Sequence, residues 1–237
     1  MKIMIVLGFL LTSFAFASSH TCNDTILSHS YYKTCFSKNK KLARWVSYTL
    51  NEEMFRGNAN RENEFFIDPL IPKYSLKPEH YYRSGFDRGH LVPAADMKIT
   101  DISMRESFFM TNVAAQSPSF NRGVWKRAEN LIRGLTSPNK NYEVITGLIF
   151  DFRKKTPSTS HLNIAKAFYK IIFYHNKDEI KVLAFLIPHK KSQEDLRAFL
   201  VPVDTIEALT NIDFFQDLPD SIEDQIESKS RPHLWGL

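Results

Sequence analysis

Three segments in the second half of the chain constrain its fold most. Tyr142–Ile149 (YEVITGLI), Ala167–Tyr174 (AFYKIIFY) and Ile180–Ile187 (IKVLAFLI) are nearly continuous apolar runs rich in β-branched and aromatic residues. Such residues suit a pleated, packed surface. Runs of strand length that are apolar throughout imply a sheet covered on both faces. Ala43–Leu50 (ARWVSYTL) adds a strand in which Trp45, Ser47 and Thr49 alternate with Val46, Tyr48 and Leu50. Ser107–Ala114 (SFFMTNVA) reads as a further strand, and Phe86–Pro93 as a short strand or turn. Asn121–Leu135 reads as a helix, with Val124, Ala128, Leu131, Ile132 and Leu135 at helical spacing and Gly134 near its end. Val203–Thr210 reads as a short helix followed by Asp213-Phe214-Phe215. The expected class is α+β, a central, mostly antiparallel sheet flanked by helices.

The chain has 237 residues, 43% of them hydrophobic and 24% charged. That balance excludes disordered, collagenous and low-complexity classes. No repeat or linker divides the sequence, so residues 18–237 are expected to form a single domain. A net charge of +5 favours polyanionic partners such as nucleic acid.

The N-terminus has its own character. Lys2 precedes an apolar stretch from Ile3 to Phe14, and Ala15-Phe16-Ala17 forms a small-residue cleavage site. This pattern predicts a signal peptide over 1–17 and an exported chain, periplasmic or secreted, beginning at Ser18. The apolar stretch is short of the ~20 residues a membrane anchor needs. In an oxidising compartment the only two cysteines, Cys22 and Cys35, are expected to pair and tie down the N-terminal segment. The eight histidines show no zinc-enzyme spacing.

Two segments concentrate chemistry. Phe86-Asp87-Arg88-Gly89-His90-Leu91-Val92-Pro93 sets an acid, a guanidinium, a glycine and an imidazole side by side between apolar residues. Read by itself, it is an exposed turn or a site in equal measure. Asn121-Arg122-Gly123-Val124-Trp125-Lys126-Arg127-Ala128-Glu129 opens the expected helix. Asn121 suits an N-cap, and Glu129 suits a solvated helix surface. On a regular helix Asn121, Trp125 and Glu129 share one face, with Glu129 ~12 Å along the axis from Asn121. That distance disfavours direct ligation of one ion by both.

Taken together, Asp87-Arg88-Gly89-His90 and, roughly thirty residues on, Asn121-Arg122-Gly123-x-Trp125-x-x-x-Glu129 resemble the DNA/RNA non-specific endonucleases. These are ββα-metal nucleases that include mitochondrial endonuclease G. Arg61-x-Asn63-x-Phe65-x-x-Asp68-Pro69 and Thr111-Asn112-Val113-x-x-Gln116-Ser117-Pro118 agree with that family. So do Thr146-Gly147, Ala167–Lys170, Phe185–Pro188 and Asp204-x-Ile206-Glu207-x-x-Thr210-x-x-Asp213-Phe214-Phe215. The match runs from about Trp45 to Phe215, and it departs at Asn211, where the family usually has glycine.

The resemblance implies a metal-dependent, sugar-non-specific endonuclease that hydrolyses phosphodiester bonds of DNA and RNA. His90 would be the general base, and Asp87 and Arg88 would shape the pocket. Asn121 would be the one protein ligand of Mg²⁺, with Mn²⁺ a possible substitute and Glu129 acting through water. Arg61 would contact the scissile phosphate, although Arg56 lies nearby as a rival. Arg61, Arg88, Arg122 and Lys126 would bind nucleic acid. Lys40, Lys41, Arg127 and Arg133 would extend the positive surface or, taken singly, be solvated surface. Alternatives are a phosphodiesterase of the same fold acting on nucleotides and a catalytically silent nucleic-acid-binding protein. A homodimer and an inhibitor protein stay open.

Overall fold

The computed structural model describes residues 19–150 and 162–237. The expected signal peptide therefore lies outside the described residues. Among those, the main sheet has seven antiparallel strands in the order β1-β2-β3-β6-β7-β8-β9. They are β1 (Thr25–Ser28), β2 (Tyr32–Ser37), β3 (Leu42–Leu50), β6 (Tyr142–Ile149), β7 (Ala167–His175), β8 (Ile180–Pro188) and β9 (Leu200–Val201). The apolar runs form its centre, as expected, and β6 and β7 are buried along nearly their whole length.

Alternation of side chains divides this sheet into two faces. Val144, Phe168, Ile172, Leu183 and Phe185 join one core, together with Leu91, Ala114, Trp125 and Ala128. Ile145, Tyr169, Ile171, Phe173 and Ala184 join the other, with Val203, Ile206, Phe214, Phe215 and Ile226. The second core is covered by α4 (Val203–Thr210) and α5 (Asp220–Glu227). Asn211 caps α4 in the left-handed conformation, φ 53°. Asparagine tolerates that conformation better than other residues with a Cβ, so it serves where the family prefers glycine.

Cys22 and Cys35 form a disulfide, with Cα atoms 5.7 Å apart. Cys35 is fully buried in the second core. The bridge therefore fastens the N-terminal segment to the core itself, a deeper anchorage than the sequence suggested.

Leu50 at the end of β3 stands opposite Tyr142 at the start of β6. Between them the chain leaves the sheet. It forms α1 (Glu52–Arg56), β4 (Asp87–His90), α2 (Asp101–Ser107), β5 (Val113–Gln116) and α3 (Lys126–Gly134). β4 and β5 make a separate two-stranded sheet.

Two expectations are corrected here. Ser107–Ala114 is not a strand. Ser107 ends α2, whose start is capped by Thr100, a 3₁₀ turn covers Met110–Asn112, and β5 begins only at Val113. The segment is apolar because it is buried, and burial carries no secondary-structure period of its own. The helix also does not begin at Asn121. Phe120–Trp125 is a π-helical turn broken at Gly123, and regular α-helix begins at Lys126. π turns of this kind recur at functional sites.

Candidate active site

The geometry begins with a close approach. Gly89 pairs with Ala114 across the β4–β5 ladder, and a Cβ on Gly89 would lie 2.2 Å from Cδ of the buried Gln116. Any larger residue there would have to displace the Gln116 side chain. The chain leaving β4 is pinned by buried Asn112, whose Oδ1 accepts the Val92 N–H at 2.9 Å. Its Nδ2 donates to the carbonyls of Val92 at 3.0 Å and Ser107 at 2.7 Å.

Alternation along β4 sends Arg88 and His90 to the same side. There Phe65 and Phe108, 4.9 Å apart, form an aromatic wall. The Arg88 guanidinium lies 4.7 Å from the Phe65 ring centre, and Arg61 lies 5.1 Å from that of Phe108. The His90 ring stands 5.2 Å from Phe65 and 4.6 Å, edge-on, from Phe108. Its Nε2 is buried and makes no hydrogen bond among the described residues. Burial, reinforced by the charge of Arg61, pushes the imidazole down to about 3. His90 is therefore a neutral base well below the ordinary histidine range, and the spacing of its neighbours explains why.

Asp87 points to a different set. Its Oδ2 accepts Asn121 Nδ2 at 2.9 Å and Arg122 Nε at 2.9 Å, and its Oδ1 accepts Arg122 Nη2 at 2.7 Å. Burial acts to raise Asp87, but the hydrogen bonds from Arg122 and Asn121 outweigh it and hold the carboxyl below its ordinary value. A carboxylate requires a donor, so the Asn121 amide must present nitrogen to Asp87. Its Oδ1 then faces away, with no hydrogen bond among the described residues. Asn121 is not the helix cap, since its side chain serves Asp87 instead.

A third group lies beneath α3. Lys170 is fully buried on β7, with Nζ 2.6 Å from Thr146 Oγ1 and 5.0 Å from the Trp125 ring centre. Glu129 is driven up by burial, against the opposing charge of Lys170. Lys170 is driven down by burial, against Glu129. Buried Asp96 accepts the Tyr48 hydroxyl at 2.6 Å and pairs with Arg133. Trp125, Phe120 and Phe168 pack with ring centres 4.9–5.5 Å apart, which fastens the π turn to β7. Fully burying such rings contributes roughly 1.5–3 kcal/mol each.

The expected residues thus fall into three linked groups. Arg61, Arg88 and His90 share the aromatic wall, and Asp87, Asn121 and Arg122 share hydrogen bonds. Glu129 joins Lys170, and the charge of Arg61 bears on both His90 and Glu129. Arg56 points elsewhere, paired with Glu52 at 2.6 Å. Lys126 is exposed and Arg122 is engaged by Asp87. Arg133 is an inward ion-pair partner of Asp96, not extended positive surface. Arg127 donates to the carbonyls of Ser192 and Glu194 at 3.2 and 3.0 Å. The i, i+4, i+8 face expected for Asn121 and Glu129 does not exist, because the break at Gly123 separates Asn121 from α3. Three participants had no assigned role in the sequence: Phe65, Phe108 and Lys170. For Lys170 the signal was present, as the lone charge inside AFYKIIFY.

The family model for DNA/RNA non-specific endonucleases matches residues 12–221. A nuclease of Nostoc sp. is 30% identical over 221 residues, covering 88% of this chain and 80% of its own. Human mitochondrial endonuclease G is 30% identical over 206 residues, covering 81% of this chain and 69% of its own. Among solved structures, a chain of the EndoG/EndoGI complex superposes with a TM-score of 0.74 at 26% identity. It covers 83% of this chain and 88% of that one.

Proposed function

This chain belongs to the DNA/RNA non-specific endonuclease family, and on that premise we propose that it is an exported, Mg²⁺-dependent endonuclease cleaving DNA and RNA. What most directly supports the reading is the Phe65–Phe108 wall that His90, Arg61 and Arg88 share, on the strand whose Asp87 orients Asn121.

A neutral imidazole accepts a proton from the attacking water. Burial against Phe65 and Phe108 keeps it in that form. Arg61 and Arg88 offer guanidinium groups to the non-bridging phosphate oxygens, where charge grows as the phosphorus is attacked. Both groups read the backbone alone, which carries no base information.

The residues fit a divalent ion. The Asn121 amide, turned by Asp87, presents an uncommitted oxygen, and hard oxygen donors suit Mg²⁺, which keeps most of its waters. Asn121 would hold it directly and Glu129 through water, with Mn²⁺ as a substitute. When bound, such an ion stabilises phosphoryl charge and supplies a proton from a coordinated water to the leaving 3′ oxygen. Residues 1–17 would be removed on export, leaving one nuclease domain over 18–237 that acts in the periplasm or outside the cell.

The test is the purified chain from Ser18 on supercoiled plasmid, on RNA and on a dinucleotide ester, with Mg²⁺ and with EDTA. Nicking and linearisation of the plasmid and degradation of RNA, both stopped by EDTA, are expected. Intact polymers beside a cleaved ester would overturn the reading.

A further inference from the structure

On the face of the main sheet opposite the nuclease motif, acidic side chains crowd together without counter-charge. Asp204 and Glu207 stand three apart on α4, and Glu223 and Glu227 four apart on α5. Each helix therefore turns a pair of carboxylates to one side. Asp204, Glu207 and Glu227 each offer an oxygen, and these oxygens all lie within 4.8 Å of one another. The charge of Asp213 adds to the same field. Among the described residues none of the five forms an ion pair.

Acidic clusters are ordinary on protein surfaces, but Glu227 is not on the surface. It is 4% exposed, and its buried Oε1 has no hydrogen-bond partner among the described residues. Fully buried Asp68 and Asp96, by contrast, are hydrogen-bonded. Asp68 binds His29 at 2.9 Å, Thr111 and the Leu70 N–H at 2.8 Å. Asp96 holds Tyr48 and Arg133. Glu227 also ends α5, where the helix carbonyls disfavour an anion. Burial, followed by the charges of Glu207, Glu223, Asp204 and Asp213, pushes its carboxyl up to about 9.

We infer that Asp204, Glu207 and Glu227 form a second metal site, for a hard divalent cation of the Ca²⁺ class, that ties α5 to α4. Oxygens that all lie within 4.8 Å of one another can reach one ion, and three carboxylates suit Ca²⁺, which takes about 6–8 oxygens in flexible geometry at ~2.4 Å. Mg²⁺ dehydrates reluctantly and is usually held by only one or two carboxylates. Exposed Asp204 leaves one side open to the waters that complete such a shell. Glu207 already accepts the Phe214 N–H at 2.8 Å. A cation there also fixes the loop that buries Phe214 and Phe215 in the second core. The role is structural, and the sheet separates it from the nuclease motif.

The experiment is thermal melting of the EDTA-stripped chain with and without Ca²⁺, in wild type and in Asn121→Ala, which removes the other metal ligand. Both are expected to melt about 5–10 °C higher with Ca²⁺ a hundredfold above its Kd. Glu227→Gln and Asp204→Asn should each lose that shift, and Glu227→Gln should melt no lower than wild type without Ca²⁺. Mg²⁺ should give a smaller shift than Ca²⁺. Absence of a shift in Asn121→Ala up to about 10 mM Ca²⁺, above the ~10⁻³ M of weak sites, overturns the inference. A shift that survives Asp204→Asn in the Asn121→Ala background also overturns it. Should Glu227→Gln fail to fold, Asp204→Asn and calorimetric titration of Asn121→Ala with Ca²⁺ decide. One binding site then supports the inference and none overturns it. Melting and calorimetry do not require nuclease activity, so this outcome is separate from that of the nuclease assay.

Discussion

Asn121 donates its Nδ2 to Asp87 Oδ2 across 2.9 Å, so a single amide bridges the β4 strand and the π turn. Asp87 thereby decides which end of that amide is left for the proposed metal. Losing such an orienting partner typically costs 10–100-fold in metal affinity or activity. Asp87→Ala should raise the Mg²⁺ concentration for half-maximal cleavage by about that factor, with recovery at high Mg²⁺. Metal titrations of cleavage, run beside melting curves, check this. An unchanged titration would remove Asp87 from the metal's surroundings.

His90→Ala should reduce turnover by at least ~10²–10⁴-fold while leaving the fold intact, as loss of a general base does. Single-turnover cleavage and circular dichroism test it. Near wild-type turnover with an unchanged spectrum would exclude His90 as the base.

The pH profile should not break at 6.5. With His90 held down to about 3 by burial and by Arg61, acid should not disable the base until far below the ordinary histidine range. The same displacement acts on stability. Between about 6.5 and about 3 the unfolded chain takes up a proton that folded His90 refuses. This contribution is complete above about 6.5 and is lost as pH falls through that window. His90→Gln should flatten the acid side of the melting profile. A cleavage rate that halves at pH 6.5 with metal saturating would overturn this displacement of His90 in the working enzyme.

Gly89→Ala should expel the Gln116 side chain, since the new methyl would sit 2.2 Å from its Cδ. Overpacking of this kind costs about 1–3 kcal/mol. Adding Gln116→Ala should return part of that loss. A double-mutant cycle by denaturant melts reads the coupling, and strict additivity would place the strain elsewhere.

Arg61→Ala should slow cleavage more than it weakens binding, because its partner charge grows during the reaction. It should also make the salt dependence of binding shallower by about 1 in log–log slope. Arg56→Ala, which breaks only an exposed pair with Glu52, should change neither. Binding across a salt series in Ca²⁺, if that ion proves non-catalytic, followed by turnover in Mg²⁺, separates the two arginines.

The sheet was legible because its centre is apolar on both faces, and the runs at Tyr142, Ala167 and Ile180 begin where the strands do. The edge strand β1 and its neighbour β2 carried too little pattern to be read. Ser107–Ala114 misled because a buried 3₁₀ turn and a strand look alike in composition. At the site, residue types were legible but their partners were not. Asn121 suited a cap, yet its amide serves Asp87 from across the chain. Nothing local in the sequence shows that Phe65 and Phe108 pack against His90.

The pairing of Leu50 with Tyr142 makes β3 and β6 a hairpin whose turn has been replaced by the segment that carries the candidate site. Both ends of that insert are clamped by one ladder, whatever lies between them. Lengthening a closed loop adds only slowly to its entropic cost, so the insert is free to grow or be rebuilt while its frame stays the same. A nick within its exposed stretches leaves both fragments anchored to the same sheet.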